Sequence, residues 1–211
     1  MLPAVEARLA RLPLELKPLG AAVRRNYARG ASIRPDGTLQ IARTPWVGPE
    51  AFAIILYPAA DPAWLSTFNR RLGHPMPQEY ASVLAGVNGC FAFGLALYGL
   101  PPSLQERAPR AGHLPLEPLD LGAANQYWSR EYRGADGEFH FGGRSWSATE
   151  NVGYFLTFDG RVRSRLKEGD VIGEWGSIEE LLADELPVVE ARNQERPPGA
   201  PTPWTFGREQ S

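Results

Sequence analysis

The dipeptide Asp159-Gly160 stands between two strand-like stretches, 152–158 and 161–166, and its tolerance of positive φ predicts a two-residue type I′ hairpin at this point. A turn that tight joins only antiparallel neighbours, so this part of the chain is committed to an antiparallel sheet. Just beyond it, Ser177 with Glu180 three residues later forms a capping box, and Ile178, Leu181, Leu182 and Leu186 supply the apolar stripe of a last helix.

The middle of the chain is punctuated as two short helices. Asp61 can accept hydrogen bonds from free first-turn amides, Pro62 suits the first turn and Gly73 suits a left-handed exit, with Trp64, Leu65, Phe68 and Leu72 on one face. Pro77 then opens a second helix to about Val87, carrying Tyr80, Val83 and Leu84 at core spacing and ending at Asn88-Gly89. The apolar stretch 90–100 that follows is about half of the roughly 20 residues a bilayer-spanning helix needs, so it reads as one buried strand or core segment. Upstream, Val5, Leu9, Leu12, Leu16, Leu19, Val23 and Tyr27 recur at helical spacing, interrupted at Pro13 and Pro18. Pro35-Asp36-Gly37 precedes an alternating segment, 38–42, and the apolar run 51–57 completes a β-hairpin with a long connection. Proline-rich 101–118 reads as an extended surface loop, and Asp120 caps a helix carrying Leu121, Ala124, Trp128 and Tyr132. A short strand over 138–143 ends in a turn.

With 211 residues, 43% of them hydrophobic, the chain can bury one sizeable core, and a single domain over 1–192 with a proline-rich tail over 193–211 is expected. The 22 basic and 24 acidic residues nearly cancel, which offers no whole-chain electrostatic case for binding nucleic acid. The single cysteine, Cys90, excludes an internal disulfide framework and suits a reducing compartment. The N-terminal stretch has neither the apolar core nor the cleavage site of a signal peptide, so a cytoplasmic location and no membrane partner are expected.

Cys90 with His113 or His140 is the thiol-protease pairing to test, but Phe91-Ala92-Phe93 beside it suits a buried structural thiol. His74, His113 and His140 show no ligand spacing, so no metal and no cofactor is expected. Asp136 and Glu138 could act as an acid-base pair, though carboxylates near turns more often make local bonds. Gly142-Gly143-Arg144-Ser145 matches no phosphate-loop fingerprint and reads as a turn, and Gly143 to Ser147 misses the nucleophile elbow at its last position. Arg161, Arg163, Arg165 and Lys167 alternate along one strand, where they could grip phosphates or, more simply, solvate an exposed face and guard an edge. Around the last helix, Glu174, Glu179, Glu180, Asp184 and Glu185 form an acidic cluster able to attract a basic protein surface.

The segment 71–89, RLGHPMPQEYASVLAGVNG, resembles the signature of the SUKH superfamily: a helix ending in Leu72-Gly73, a helix led by Pro77 with aromatic Tyr80 and with Leu84, then Asn88-Gly89. The resemblance extends in element order over about 61–189, with Met76 in place of the usual leucine and residues 1–60 as an N-terminal extension. It implies an α+β domain built round a curved, mainly antiparallel sheet, with helices packed on one side and no catalytic centre. Bacterial members of that family are immunity proteins that bind and neutralise protein toxins, nucleases and deaminases among them. Eukaryotic relatives, including yeast cell-wall synthesis regulators, are interaction proteins. The expected partner is therefore a cognate toxin, without direct nucleic-acid contact; a regulatory or scaffolding module is the alternative, with self-association through Trp204 and Phe206. Tyr127, Trp128, Tyr132, Trp146, Glu179 and Glu180 are the candidate partner-binding residues.

Overall fold

The computed structural model describes residues 1–194 other than 46, 49, 73–74, 102–116, 133–136 and 146–149. Its centre is one open, curved nine-stranded sheet in which every strand pairs antiparallel with its neighbours in sequence. The strands are β1 (Ala31–Ile33), β2 (Leu39–Arg43), β3 (Phe52–Leu56), β4 (Cys90–Ala92), β5 (Leu95–Leu97), β6 (Phe139–Ser145), β7 (Asn151–Leu156), β8 (Val162–Leu166) and β9 (Val171–Trp175). The helices are α1 (Pro3–Leu9), α2 (Lys17–Asn26), α3 (Pro62–Arg71), α4 (Gln78–Gly86), α5 (Leu121–Gln126) and α6 (Ile178–Gln194). This is the expected α+β architecture. Among the described residues, no helix is long and apolar enough to cross a membrane.

The N-terminal segment is part of the sheet. β3 pairs directly with β4, so β1 to β3 extend the sheet that begins, in the family-like region, with the strand after the motif. On the helix side, Leu19 and Val23 of α2, Val83 and Leu84 of α4, and Leu181 and Leu182 of α6 join Ile41, Ile54, Leu56, Leu95, Leu97 and Phe141 in one buried core. Asn26 and Arg25 of α2 donate to the Glu190 carboxylate of α6 at 2.7 Å each, tying the first long helix to the last.

The framework role of the family-like residues can be followed atom by atom. Asp61 caps α3 through the amides of Ala63 and Trp64. The Tyr80 hydroxyl is shared between the carbonyls of Tyr98 and Phe141, so α4 is fastened to two strands from inside the core. Asn88 uses its side chain as a strand mimic: its amide donates to the Leu100 carbonyl at 2.8 Å, and the Leu100 amide donates back at 2.7 Å. Gly99 passes so close that a β-carbon there would stand 2.3 Å from the Asn88 carbonyl oxygen, which leaves room only for glycine.

Several local expectations are corrected. The Asp159-Gly160 hairpin is not a two-residue turn. Thr157 donates to the Arg161 carbonyl and only Gly160 has positive φ, which is a three-residue loop with glycine in the left-handed position. The same design recurs with Gly37 between Arg34 and Thr38, and with Gly169 between Leu166 and Asp170. The two-residue turn lies instead inside the 90–100 stretch, where Phe93 (φ 53°) and Gly94 (φ 95°) fold it into the hairpin β4–β5. Its uniform apolarity conceals the reversal, because both arms are central strands with few exposed positions. Helix α5 stops at Gln126 and continues as a 3₁₀ turn, Trp128–Glu131, rather than as one helix to Tyr132. Strand β6 runs on through Gly142, Gly143 and Arg144 where a turn was expected. Strands β1 and β9 have no counterpart in the sequence reading.

Candidate partner-binding face

Strand alternation sends one set of side chains to the helix side and the next to the opposite face. On that opposite face a single row crosses seven strands: Gln40, Ile55, Phe91, Ala96, Gly143, Gly153 and Arg165. Two adjacent glycines in the row make a recess, and aromatic rings fill it. A β-carbon on Gly143 would meet the Tyr98 hydroxyl at 2.8 Å. One on Gly153 would lie 2.7 Å from the Phe155 ring and 3.0 Å from both His140 Nε2 and the Tyr132 ring.

His140 is the centre of this cluster. Its ring stacks on Phe155 with centroids 4.4 Å apart and stands edge-on to Tyr98 and Tyr132 at 5.2 Å each. Trp128 closes over Tyr98 at 5.5 Å. The backbone of His140 is held by Asn125 of α5, whose side chain accepts from the His140 amide at 3.0 Å and donates to its carbonyl at 2.9 Å. Alternation keeps Phe139 and Phe141 on the helix side against Tyr80 while His140 turns the other way, and the bulge between His140 and Gly142 shifts the register so that Gly143 shares the face of His140. The imidazole is 1% exposed, and neither ring nitrogen has a hydrogen-bond partner in good geometry. Burial pushes its pKa down to about 4, although nearby backbone groups and Glu131 oppose the shift, so the ring is neutral at pH 7.

Ion pairs rim the cluster. Arg165 grips Glu138 through two nitrogens at 2.8 and 3.0 Å, and Arg163 bridges Glu138 at 3.1 Å to Glu174 at 2.7 Å. Lys167 pairs with Glu131 at 2.7 Å, and Arg161 with Asp159 at 3.3 Å. The basic ladder thus lies on an interior strand with a carboxylate at each step, and it guards no edge. Glu138 is one of its anchors; Asp136, the other half of the suggested acid-base pair, lies outside the described residues.

The remaining candidates separate clearly. Cys90 sits on the helix side between Leu56 and Leu97, with its thiol pushed up to about 12 by burial, while His140 faces the other way; His113 lies outside the described residues. The suggested thiol pairing is therefore not assembled with His140. Arg144 is turned to the helix side and held by Glu185, so the glycine-rich run offers no phosphate cradle. Among the described residues, no group of three potential metal ligands converges.

Of the candidate contact residues, Tyr127 is 63% exposed, Trp128 is half-buried, and Tyr132 is only 6% exposed because it closes the His140 cluster. Glu179 and Glu180 open α6, and Glu180 accepts from the Gly176 amide at 2.8 Å while Ser177 accepts from Glu180. Trp146 lies outside the described residues. Sequence reading missed His140, Phe155 and Tyr98 as one unit. The available signal was the combination of alternation at 139–141 with glycines at 143 and 153, which only a known register converts into a recess.

Replacing Gly153 with alanine is expected to cost stability at the low end of the roughly 1–3 kcal/mol typical of overpacking, since ring edges can shift. Tyrosine fluorescence should change with it, and thermal denaturation measures the loss; an unchanged midpoint would show the recess to be loosely packed. A scan against protein-family models, a search of curated proteins and a search of solved structures each returned no match.

Proposed function

We propose that this protein is a non-catalytic, cytoplasmic binding module of the SUKH type, whose partner is a protein toxin that it neutralises by covering the toxin's active site or substrate channel. The observation that carries the reading is the sheet face opposite the helices. There the exposed Tyr127, the half-buried Trp128 and the partly exposed Arg163 are the accessible members, and beneath them a buried aromatic cluster rimmed by arginine–carboxylate pairs holds the face rigid. Aromatic and arginine groups within a polar rim are the usual makings of a protein-binding hot spot. The helix–proline–helix–Asn-Gly motif supports it from the other side, because its residues spend their chemistry on holding the sheet. Nuclease and deaminase toxins that handle nucleic acid present basic surfaces, which complement the acidic residues around α6.

The test is affinity capture from the native host with the tagged full chain as bait, followed by co-expression of each captured candidate. A polypeptide that arrests growth, and whose toxicity this protein alone relieves, supports the reading. Capture restricted to endogenous cellular proteins, with no rescue although the candidate toxins are expressed, would replace it by a regulatory or scaffolding role.

A further inference from the structure

An open sheet has two edges, and here they differ in length and in charge. β1 is a three-residue edge strand whose surroundings are basic: between Lys17 and Arg43 the chain carries six cations against one carboxylate, Asp36. β9, five residues long, is the other edge, and among the described residues no strand pairs with its outer side. Between Glu168 and Ala191 there are eight carboxylates and no lysine or arginine; Glu174, Glu185 and Glu190 pair with Arg163, Arg144 and Arg25 from elsewhere, and the other five make the surround acidic. Within this acidic surround, Val171 and Ile172 are 43% and 39% exposed, side by side on the edge strand itself. Alternate N–H and C=O groups of an edge strand point away from the sheet and remain available to a further strand.

We propose that β9 takes an extended, lysine- or arginine-bearing segment of the protein partner as a tenth strand. This rests on the reading of the chain as a protein-binding module and adds to its sheet face an edge on which the same partner is held. Main-chain pairing would supply register, Val171 and Ile172 the apolar contacts, and the exposed Glu168 and Asp170 the preference for basic side chains. A second copy of this chain fits poorly. Two-fold pairing of β9 with itself sets these carboxylates against their own copies. The charge-matched alternative, β9 on β1 of another copy, is head-to-tail, and such contacts close only into rings or run on as filaments. The bulge at β9, where Arg165 pairs with Val171 and Ser164 with Gly173, adds twist that disfavours a flat edge-to-edge match and leaves pairing to a partner shaped for it.

The experiment is an amide-exchange and chemical-shift titration of the full-length protein with a capped probe peptide of alternating lysine and valine, with a glutamate-for-lysine peptide as control. Asp170→Lys and Ile172→Lys, both at exposed positions, serve as blocking variants whose folding is checked by circular dichroism. The expected result is selective protection of amides in Val171–Trp175, with affinity falling at least tenfold in either variant and with the acidic peptide. Absence of binding, perturbations centred elsewhere, or affinity unchanged in both variants overturns the proposal. Toxin capture that persists undiminished in both variants also overturns it while the toxin-binding reading stands. Protection of β9 without any captured toxin upholds the edge as an interaction surface and removes the toxin reading instead.

Discussion

Replacing Glu185 with alanine is expected to destabilise the protein by roughly 3–5 kcal/mol, the usual cost of stranding one member of a buried ion pair. Glu185 receives both Nε and Nη2 of Arg144, the latter at 3.2 Å, and also the Tyr154 hydroxyl at 3.0 Å. The side chains of Arg144 and Glu185 are 4% and 12% exposed, so removing the carboxylate takes the charged acceptor from a guanidinium on the helix side of β6 that little water reaches. Urea denaturation followed by tryptophan fluorescence measures the loss. The combined replacement Arg144→Met, Glu185→Leu and Tyr154→Phe should recover most of it, because it strands none of the three polar groups and hydrophobic groups of similar volume commonly match or exceed a buried salt bridge. A single-variant loss below about 1 kcal/mol would place the pair with weak surface bridges instead. The expected size matters for function, since this pair joins α6 to the strand whose other face carries His140.

How much of this was legible beforehand depended on whether the signal was local. The cap at Asp61, the start at Pro77, the core face of Tyr80 and Leu84 and the stripe of α6 all follow from spacing and capping chemistry, and each stands where expected. The hairpin at Asp159-Gly160 was located correctly, but its turn type was not, because a single left-handed glycine serves a three-residue loop as well as a two-residue one. Phe93-Gly94 escaped notice because a bulky residue at φ 53° is not an expected turn former. Strand β9 was hidden between a recognisable hairpin and a recognisable helix, and only its pairing with β8 identifies it. The arginine ladder shows the deeper limit. Alternation correctly put Arg163 and Arg165 on one face, yet whether that face is an edge, a phosphate grip or an ion-pair rim depends on Glu138 and Glu174, which other strands and their flanks supply. For the same reason His140 could be named as a histidine of interest without being recognised as the centre of an aromatic cluster.

That cluster makes the stability of the protein depend on pH in a definite direction. In the unfolded chain His140 has the ordinary histidine pKa near 6.5, whereas in the fold burial holds it down at about 4. Above pH 6.5 the ring is neutral in both states and contributes no pH dependence. As the pH falls from 6.5 towards 4, the unfolded state takes up the proton first, so stability is lost throughout that interval and the loss levels off below the folded pKa. One pKa unit corresponds to about 1.4 kcal/mol, so the loss amounts to about 2 kcal/mol between pH 7 and pH 5 and about 3 kcal/mol at its limit. The rings around the imidazole cannot relieve it: Tyr98, Tyr132 and Phe155 bring no negative charge, and burial pushes the Tyr132 hydroxyl up to about 12. Glu131 is the nearby carboxylate that favours the proton, and Lys167 holds it in a pair at 2.7 Å. Urea midpoints at pH 7, 6 and 5, above the range in which most carboxylates titrate, isolate the histidine. His140→Phe keeps the stack on Phe155 and leaves no ring nitrogen without a partner, so it should flatten the dependence while costing little at pH 7. An equally steep loss in His140→Phe would assign the acid sensitivity to the carboxylates of the rim. A flat profile in that variant, with the wild type falling by about 2 kcal/mol, would assign the acid sensitivity of the fold to the burial of this one ring.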